Sequence, residues 1–348
     1  PYEYQSYIRA SDGHSIVTTL DVYVQSVLEE QLSTAYIESG GQNRACGIVI
    51  DVETGGILGM ATYPSFDLND PRTLNADSQS KLNASGYAAG TEAYLKLKQE
   101  LQLTTWANKS ITEAYMPGST FKIVTASMAY EENLVSAGET FYCPGYFKVG
   151  GRTIHCHKIA GHGSLTFAQG LQQSCNPILM MMGLRIGQER FYNYFRSFGY
   201  LEKTGVDLPG EGVSIFYKPE NFKEIDLATA SFGQNFKITP LQQIMAVTTV
   251  ASGGYLLTPH LLKEELDSNG NVVKSYETNV RRQVISTDTA TQLAKILEEG
   301  VSGNGGAKNA YVAGYRIGGK TGTADKGQTG DVVVSFLCFA PADDPQVI

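Results

Sequence analysis

The chain has 348 residues, enough for one large domain or two small ones, and its 42% hydrophobic and 18% charged residues are ordinary globular composition able to bury a sizeable core. A formal net charge of −8, with no Lys/Arg cluster dense enough to neutralise a row of phosphates, argues against a nucleic-acid partner. Five cysteines, an odd number, exclude a fully paired disulfide framework.

The chain starts Pro1-Tyr-Glu-Tyr-Gln5, which is not a signal peptide, and it holds no run of about eighteen apolar residues. Residues 1–14 read as a linker from a missing N-terminal region that would carry any export signal or anchor. From Ser15 the pattern is β-prone over Ile16–Leu20. It then becomes helical through Val22, Val24, Val27, Leu28 and Leu32, with Asp21 as N-cap. Ala45 to Thr62 reads as two apolar strands joined at Glu53-Thr-Gly-Gly56. Asp67 to Ser110 is polar and mixed; Leu95, Leu97 and Leu101 predict an amphipathic helix there. Asn83-Ala-Ser85 and Asn108-Lys-Ser110 match glycosylation sequons, for which the chance reading is preferred.

Tyr115 to Tyr130 carries the first chemistry. Pro117-Gly118 is a turn, and beyond it Phe121, Val124 and Met128 recur at the spacing of one buried helical stripe, so Ser119 is expected to open a buried helix. Lys122, three residues on, shares a face with the Ser119 hydroxyl. A serine needs a base to attack at neutral pH, and a lysine desolvated near a helix N-terminus has its pKa lowered towards that task. The same Ser-x-x-Lys spacing recurs at Ser78-Gln-Ser-Lys81, in a polar run without helix-opening turn or apolar stripe.

Two short strands are expected about Gly150-Gly151 within Phe141–His155, followed by a tight loop at Gly161-His-Gly163. Thr166 to Gly183 reads as a helix interrupted at Ser174-Cys-Asn-Pro177, because proline biases Asn176 away from helical geometry and so exposes Ser174 and Asn176. A second Ser-x-Asn, Ser302-Gly-Asn304, lies in a glycine-rich loop. Leu201 to Gly212 is turn-rich. Thr239, with Pro240 behind it, caps a helix that stops at Gly253-Gly254, and Thr287 to Gly300 is another capped helix. Tyr315 to Pro341 closes as two strands about a polar loop, with Lys320-Thr-Gly-Thr323 on the first; glycine within a strand marks close approach by a ligand or another backbone. Lys203-Thr-Gly205 repeats the string in a turn.

The order Ser119-x-x-Lys122, Ser174-x-Asn176, Lys320-Thr-Gly322 is the signature of penicillin-binding proteins and class A β-lactamases. Pro117-Gly-Ser-Thr-Phe-Lys122, Gly161-His-Gly163, Thr204-Gly-Val-Asp-Leu-Pro-Gly-Glu211 and Thr239-Pro-Leu-Gln242 narrow it: from about Ser15 onward the chain resembles class B penicillin-binding proteins, the division and sporulation branch most.

That resemblance implies an α/β (α+β) fold, an antiparallel β-sheet flanked by helices, with the site at a sheet edge. It implies a peptidoglycan D,D-transpeptidase, membrane-anchored with its catalytic domain on the extracytoplasmic side. Stem peptides would be its substrates, β-lactams its inhibitors and a glycan polymerase its partner. Carried over, Ser119 attacks the D-Ala-D-Ala carbonyl, Lys122 is the base, Ser174 relays a proton and Asn176 holds the peptide. Lys320, Thr321 and Thr323, with Gly322 in the same box, bind the substrate carboxylate. Backbone N–H groups of Ser119 and Thr323 form the oxyanion hole. No cofactor is required for this chemistry.

Two departures stand out. Met116 replaces a commonly acidic residue, a change expected to be harmless, and the sequence stops at Pro345-Gln-Val-Ile348, where the family starts another strand and a closing helix, so a truncated domain is expected. A β-lactamase would need a deacylating Glu-x-x-Asn loop between the second and third boxes, and none occurs. A β-lactam receptor that is acylated without turnover is the remaining rival.

Cys143, Cys156, His157, His162 and Cys175 lead into the Ser174 box, and thiolate with imidazole is what a tetrahedral structural zinc prefers. The preferred ligands are Cys143, Cys156, His162 and Cys175, with His157 as alternative imidazole; the resemblance includes members that bind zinc near the site. A Cys143–Cys156 disulfide across the hairpin and plain buried thiols are the competing readings.

Overall fold

Ser15–Thr18 forms strand β1, and Asp21 then caps helix α1 (Val22–Glu38) by accepting from the Val24 N–H at 2.9 Å, as expected. The structure, a computed structural model, describes residues 12–41, 43–325 and 330–348. Residues 1–11 of the expected linker and 326–329 of the expected polar loop fall outside them. The two apolar runs become strands β2 (Ala45–Ile50) and β3 (Ile57–Tyr63), paired antiparallel under α1. Asp51 closes their turn, its Oδ1 accepting from the N–H groups of Glu53 and Thr54 and from the Thr54 hydroxyl.

Asp67 to Ser110 holds helices α2 (Ala76–Ala84), α3 (Glu92–Trp106) and α4 (Lys109–Thr112). The amphipathic helix expected from the leucines is α3, but its apolar period misplaces the packed face. Leu95 is 56% exposed, while Gln102 and Thr105 are the buried residues. Polar contacts orient it, since Gln102 Nε2 and Trp106 Nε1 both donate to the Pro71 carbonyl at 2.8 Å. Ser78-Gln-Ser-Lys81 also departs from expectation by lying in α2 behind an Asn75 cap. There Lys81 pairs with Asp77 and Ser78 bonds Thr105, so neither side chain is available to the other. Asn108 of the second sequon caps α4.

A 3-10 turn over Gly118–Phe121 leads into α5 (Lys122–Glu131), so the α-helix begins at Lys122 rather than at Ser119. Phe121, Val124 and Met128 are fully buried, and burial continues around the whole helix from Lys122 to Ala129. A helix buried on every side belongs to the interior. Four short strands follow: β4 (Thr140–Cys143), β5 (Tyr146–Val149), β6 (Arg152–His155) and β7 (Gly163–Thr166), with β4 paired to β7 and β5 to β6 about Gly150-Gly151. Helix α6 (Phe167–Gln172) breaks at Ser174 before α7 (Asn176–Ile186) and α8 (Gln188–Ser197).

Helix α9 (Glu224–Ala230) precedes α10 (Pro240–Ala251), whose Thr239 and Gln242 form a reciprocal capping box; α11 (Thr287–Ser302) is capped by Ser286. Helices α7, α10 and α11 pack around α5. Between α8 and α9, Glu211 accepts from the Thr204 N–H and hydroxyl, both at 2.6 Å, and Asp207 accepts from the N–H groups of Leu261 and Leu262. The Thr204–Glu211 string is thus a loop clasp, and Lys203-Thr-Gly205 lies in no strand.

Strands β8 (Tyr255–Leu257), β9 (Leu262–Leu266), β10 (Val272–Ser275) and β11 (Val280–Gln283) form the pairs β8–β11 and β1–β9–β10. The last strands, β12 (Gly318–Asp325) and β13 (Val332–Phe339), pair antiparallel, Lys320 opposite Leu337 and Thr323 opposite Val334. Residues 346–348 join this hairpin to the first one. Ile348 and Ile50 exchange both backbone hydrogen bonds at 2.8 and 3.0 Å, and Val347 does the same with Ala340 at 3.0 and 3.1 Å. The antiparallel sheet flanked by helices is therefore as expected. Among the described residues no helix is long and apolar enough to cross a membrane.

Candidate active site

The turn that carries Ser119 is built by glycines. Gly118 takes φ +55°, its N–H donates to the Gly233 carbonyl at 3.0 Å, and a Cβ placed on it would lie 2.5 Å from the Thr323 carbonyl oxygen. Only glycine lets the turn and strand β12 approach so closely. On the strand side, a Cβ on Gly322 would meet Ser335 Oγ at 2.5 Å and the Pro117 carbonyl at 3.0 Å. Half-buried Ser119 and the strand bearing Lys320-Thr-Gly-Thr323 are thus held against each other.

Lys122 projects from the first residue of α5 and is fully buried. Its Nζ donates to the Ser174 carbonyl at 2.7 Å, to Asn176 Oδ1 at 2.7 Å and to Ser174 Oγ at 3.1 Å. Burial holds this amine well below the usual lysine range, and the neighbouring charge of Lys320 pushes the same way. Lys320, 2% exposed, donates from the other side to Ser174 Oγ at 3.0 Å and to the Thr321 carbonyl at 3.0 Å; burial brings its pKa to about 8.

Ser174 reaches this position because the helix is interrupted where expected, but not by the expected residue. Ser174 sits at φ +55° and Cys175 is extended as the N-cap, whereas Asn176 is already the first helical residue of α7, because a proline one position inside a helix start is compatible with it. Asn176 Nδ2 donates to the His155 carbonyl at 3.3 Å, so the end of β6 borders the site. The structure brings Lys122, Ser174, Asn176 and Lys320 into one hydrogen-bonded group, with Ser119, Thr321, Gly322 and Thr323 on the two elements that flank it. Such an array can strip a proton from a hydroxyl, pass it through a second hydroxyl and present a cation and strand hydroxyls to a carboxylate.

One wall escaped the sequence reading. The glycine-rich loop after α11 docks beside the Ser174 turn: the Gly306 N–H donates to the Gln172 carbonyl and Gln173 Nε2 to the Asn304 carbonyl, both at 2.9 Å. A Cβ on Gly306 would lie 3.9 Å from Thr321 Oγ1. The string Ser302-Gly-Asn304, set aside as a loop, therefore lies next to the Ser-x-Asn turn it imitates. The closely spaced Gly303, Gly305 and Gly306 were the available signal.

Cys143 at the end of β4, Cys156 after β6, His162 in the Gly161-His-Gly163 loop and Cys175 inside the Ser174 turn converge, their candidate ligand atoms all within 4.8 Å of one another. Gly161, at φ +81°, permits this, since a Cβ there would lie 2.4 Å from the Cys143 carbonyl. A tetrahedral zinc with bonds of about 2.3 Å to sulfur and about 2.0 Å to nitrogen sets S···N edges of about 3.5 Å. His162 Nδ1 lies 3.6 Å from Cys143 Sγ and 3.5 Å from Cys156 Sγ. The donor set fits that ion. All five cysteines are free thiols, and the disulfide between Cys143 and Cys156 is not formed. His157 stands beside the group, with Nδ1 3.8 Å from Cys156 Sγ. A hydrogen bond from Cys175 lowers the pKa of Cys156.

Residues 45–348 match the penicillin binding protein transpeptidase domain family. Over its whole length the chain is 35% identical to stage V sporulation protein D of Bacillus subtilis, of which it covers 51%. It is 28% identical over 96% of its length to the probable peptidoglycan D,D-transpeptidase FtsI of Caulobacter vibrioides, again covering 51%. The chain thus spans about half the length of these curated relatives. Penicillin-binding protein 3 of Mycobacterium tuberculosis, in a crystal structure with aztreonam, superimposes with a TM-score of 0.82 at 26% identity, over 99% of this chain and 73% of that one.

Proposed function

The chain belongs to the penicillin-binding protein transpeptidase domain family, and from that premise we propose that it cross-links peptidoglycan stem peptides through an acyl-enzyme on Ser119. The observation that carries this reading is the fully buried Lys122 amine, depressed in pKa and one helical turn beyond Ser119, hydrogen-bonded to both Ser174 and Asn176.

In the first half-reaction Ser119 Oγ attacks the carbonyl between the terminal D-Ala residues while neutral Lys122 takes its proton. Ser174, within hydrogen-bond distance of both lysines, passes its proton to the departing D-Ala amine and is reprotonated by Lys122, which returns to its neutral form. Lys320, Thr321 and Thr323 hold the terminal carboxylate, Asn176 holds the peptide, and the N–H groups of Ser119 and Thr323 face the developing oxyanion. In the second half-reaction an acceptor amine attacks the ester and Ser119 regains its proton. A β-lactam enters as a mimic of the dipeptide and stops at the ester, since the sequence between Asn176 and Lys320 holds no Glu-x-x-Asn loop to activate water.

The Cys143, Cys156, His162 and Cys175 cluster is proposed to hold a structural zinc, supported by its donor chemistry and edge lengths. The ion would tie the β4–β7 region to the turn that carries Ser174. Extracytoplasmic action from a membrane anchor, in company with a glycan polymerase, is what this family reading implies.

The test is labelling with a fluorescent penicillin, wild type beside Ser119→Ala. Stoichiometric, slowly released label on the wild type alone is the expected result. Label on Ser119→Ala, or rapid hydrolysis by the wild type, overturns the reading.

A further inference from the structure

Helix α6 ends in a motif that ordinarily closes on glycine. The Cys175 N–H donates to the Gly170 carbonyl at 2.8 Å and the Ser174 N–H to the Leu171 carbonyl at 3.0 Å, the paired bonds of a helix end whose next residue turns left-handed. That residue is Ser174, at φ +55°. Glycine takes this conformation without strain, whereas serine keeps it only where surrounding contacts over-determine the backbone. The hydroxyl is what glycine lacks, and both lysines of the site point at it.

From inside, the turn is held by the reacting groups. Lys122 bonds the Ser174 carbonyl and hydroxyl and Lys320 the hydroxyl, whose bonds change as protons move. From outside, the two residues before Ser174 are bonded to α11 and the loop that follows it. Gln172 Nε2 donates to Glu299 Oε2 at 3.0 Å and to the Ile296 carbonyl at 3.3 Å. The Gln172 carbonyl, left free by the helix end, accepts from the Gly306 N–H at 2.9 Å. Gln173 Nε2 donates to the Asn304 carbonyl at 2.9 Å. Helix α11 also packs against β12, so one element backs both the Ser174 turn and the strand that carries Lys320.

Resting on the transpeptidase reading, we propose that Gln173 is a positioning residue: its amide, seated on the Asn304 carbonyl, holds Ser174 left-handed so that the hydroxyl stays between Lys122 and Lys320 while protons move. Gln172 supplies a second anchor on the same element. Because Ser174 delivers a proton to the leaving group, the loss of Gln173 falls on substrates whose leaving atom needs one.

The test compares two acyl donors that both end in a carboxylate. In each, Ser119 Oγ bonds the carbonyl carbon and gives its proton to Lys122. A fluorescent penicillin then breaks a C–N bond whose nitrogen must gain a proton, whereas a D-alanyl thioester of thiolactate expels a thiolate, which needs none. The second-order rate of penicillin labelling is divided by kcat/KM for thioester cleavage, read from thiol release. In Gln173→Ala this ratio is expected to fall about tenfold, with an unchanged melting temperature. Gln173→Glu keeps the size of the side chain, but its carboxylate cannot donate to Asn304, and the ratio should fall likewise. On a Ser174→Ala background, Gln173→Ala should change the ratio by less than about twofold, since no hydroxyl remains to be aimed. Equal slowing on both donors, or the same tenfold fall without the Ser174 hydroxyl, overturns the proposal. Wild type acylated by neither donor overturns the transpeptidase reading and the proposal with it; wild type acylated by both, with the Gln173 variants at the wild-type ratio, overturns the positioning role alone.

Discussion

Lys122 and Lys320 direct their Nζ atoms at one oxygen, Ser174 Oγ, at 3.1 and 3.0 Å. Two ammonium ions cannot share a buried acceptor without strong repulsion, so burial and mutual charge favour the neutral form of at least one. While Lys122 is protonated the hydroxyl accepts from both sides and its own proton is free to donate; once Lys122 is neutral its two N–H groups stay on the Ser174 and Asn176 carbonyl oxygens, and the hydroxyl can turn its proton to Nζ. That is the arrangement a proton relay requires, and it depends on the Ser174 backbone standing at φ +55°.

Replacing Lys320 by alanine is expected to slow acylation by a fluorescent penicillin about a hundredfold, whereas Lys203→Ala stays within about twofold. Lys320 is buried on the site strand; Lys203 is exposed in the clasp loop. Equal losses would show that Lys203-Thr-Gly205 serves the site as much as Lys320-Thr-Gly322 does.

The depressed lysines make stability depend on pH in a defined direction. The unfolded Lys320 keeps its proton up to 10.5 and the folded one loses it near 8, so between these values the unfolded state binds more protons and stability rises with pH. Wild type should gain roughly 3 kcal/mol across that window relative to Lys320→Met. Parallel stability curves for the two proteins, from denaturant melts at pH 7, 8, 9, 10 and 11, would contradict it. Acylation should rise over the pH range in which Lys122 becomes neutral, and Lys320→Ala, by removing a neighbouring charge, should move that limb upward.

Protein purified without chelator should contain about one zinc per chain. Cys175→Ser should lower zinc content and melting temperature together, by several degrees for the latter, and should slow acylation because Ser174 and Asn176 flank the missing ligand. A metal-free protein with a Cys143–Cys156 disulfide would refute the site.

Gly118→Ala should destabilise the fold by about 1–3 kcal/mol and depress labelling, since its Cβ meets the Thr323 carbonyl at 2.5 Å. Gly138→Ala has a similar positive φ, +75°, but nothing within 4 Å, so it should cost about 1–2 kcal/mol and leave labelling intact. Similar effects on labelling would remove the argument for close approach.

Elements with strong local signals were legible in the sequence. Asp21, Thr239 with Pro240, the Gly150-Gly151 turn and the break before Pro177 each act through neighbouring residues, and each lies where expected. The interior helix was legible only as a stripe, because surroundings that bury Lys122 to Ala129 on all sides belong to distant segments. The face of α3 was misread because one carbonyl, that of Pro71, outweighed the leucine period. At the site, residue types were legible from their chemistry, but the meeting of residues 122, 174 and 320 is a property of packing. So is the docking of Ser302-Gly-Asn304 beside Ser174: nothing local to residues 302–306 announces Gln172 as a partner.

Residues 50 and 348 exchange two hydrogen bonds, so the first and last hairpins join only when segments far apart in sequence have met. Such non-local pairing incurs the loop-closure entropy before any contact compensates for it, which places sheet closure late and the helices around α5 early. The strand carrying Lys320 belongs to the late part and the helix carrying Lys122 to the early part. During refolding from denaturant, helical ellipticity should therefore return before the capacity to take penicillin label, and the delay between them measures how long the chain exists with its nucleophile turn lacking an opposite wall.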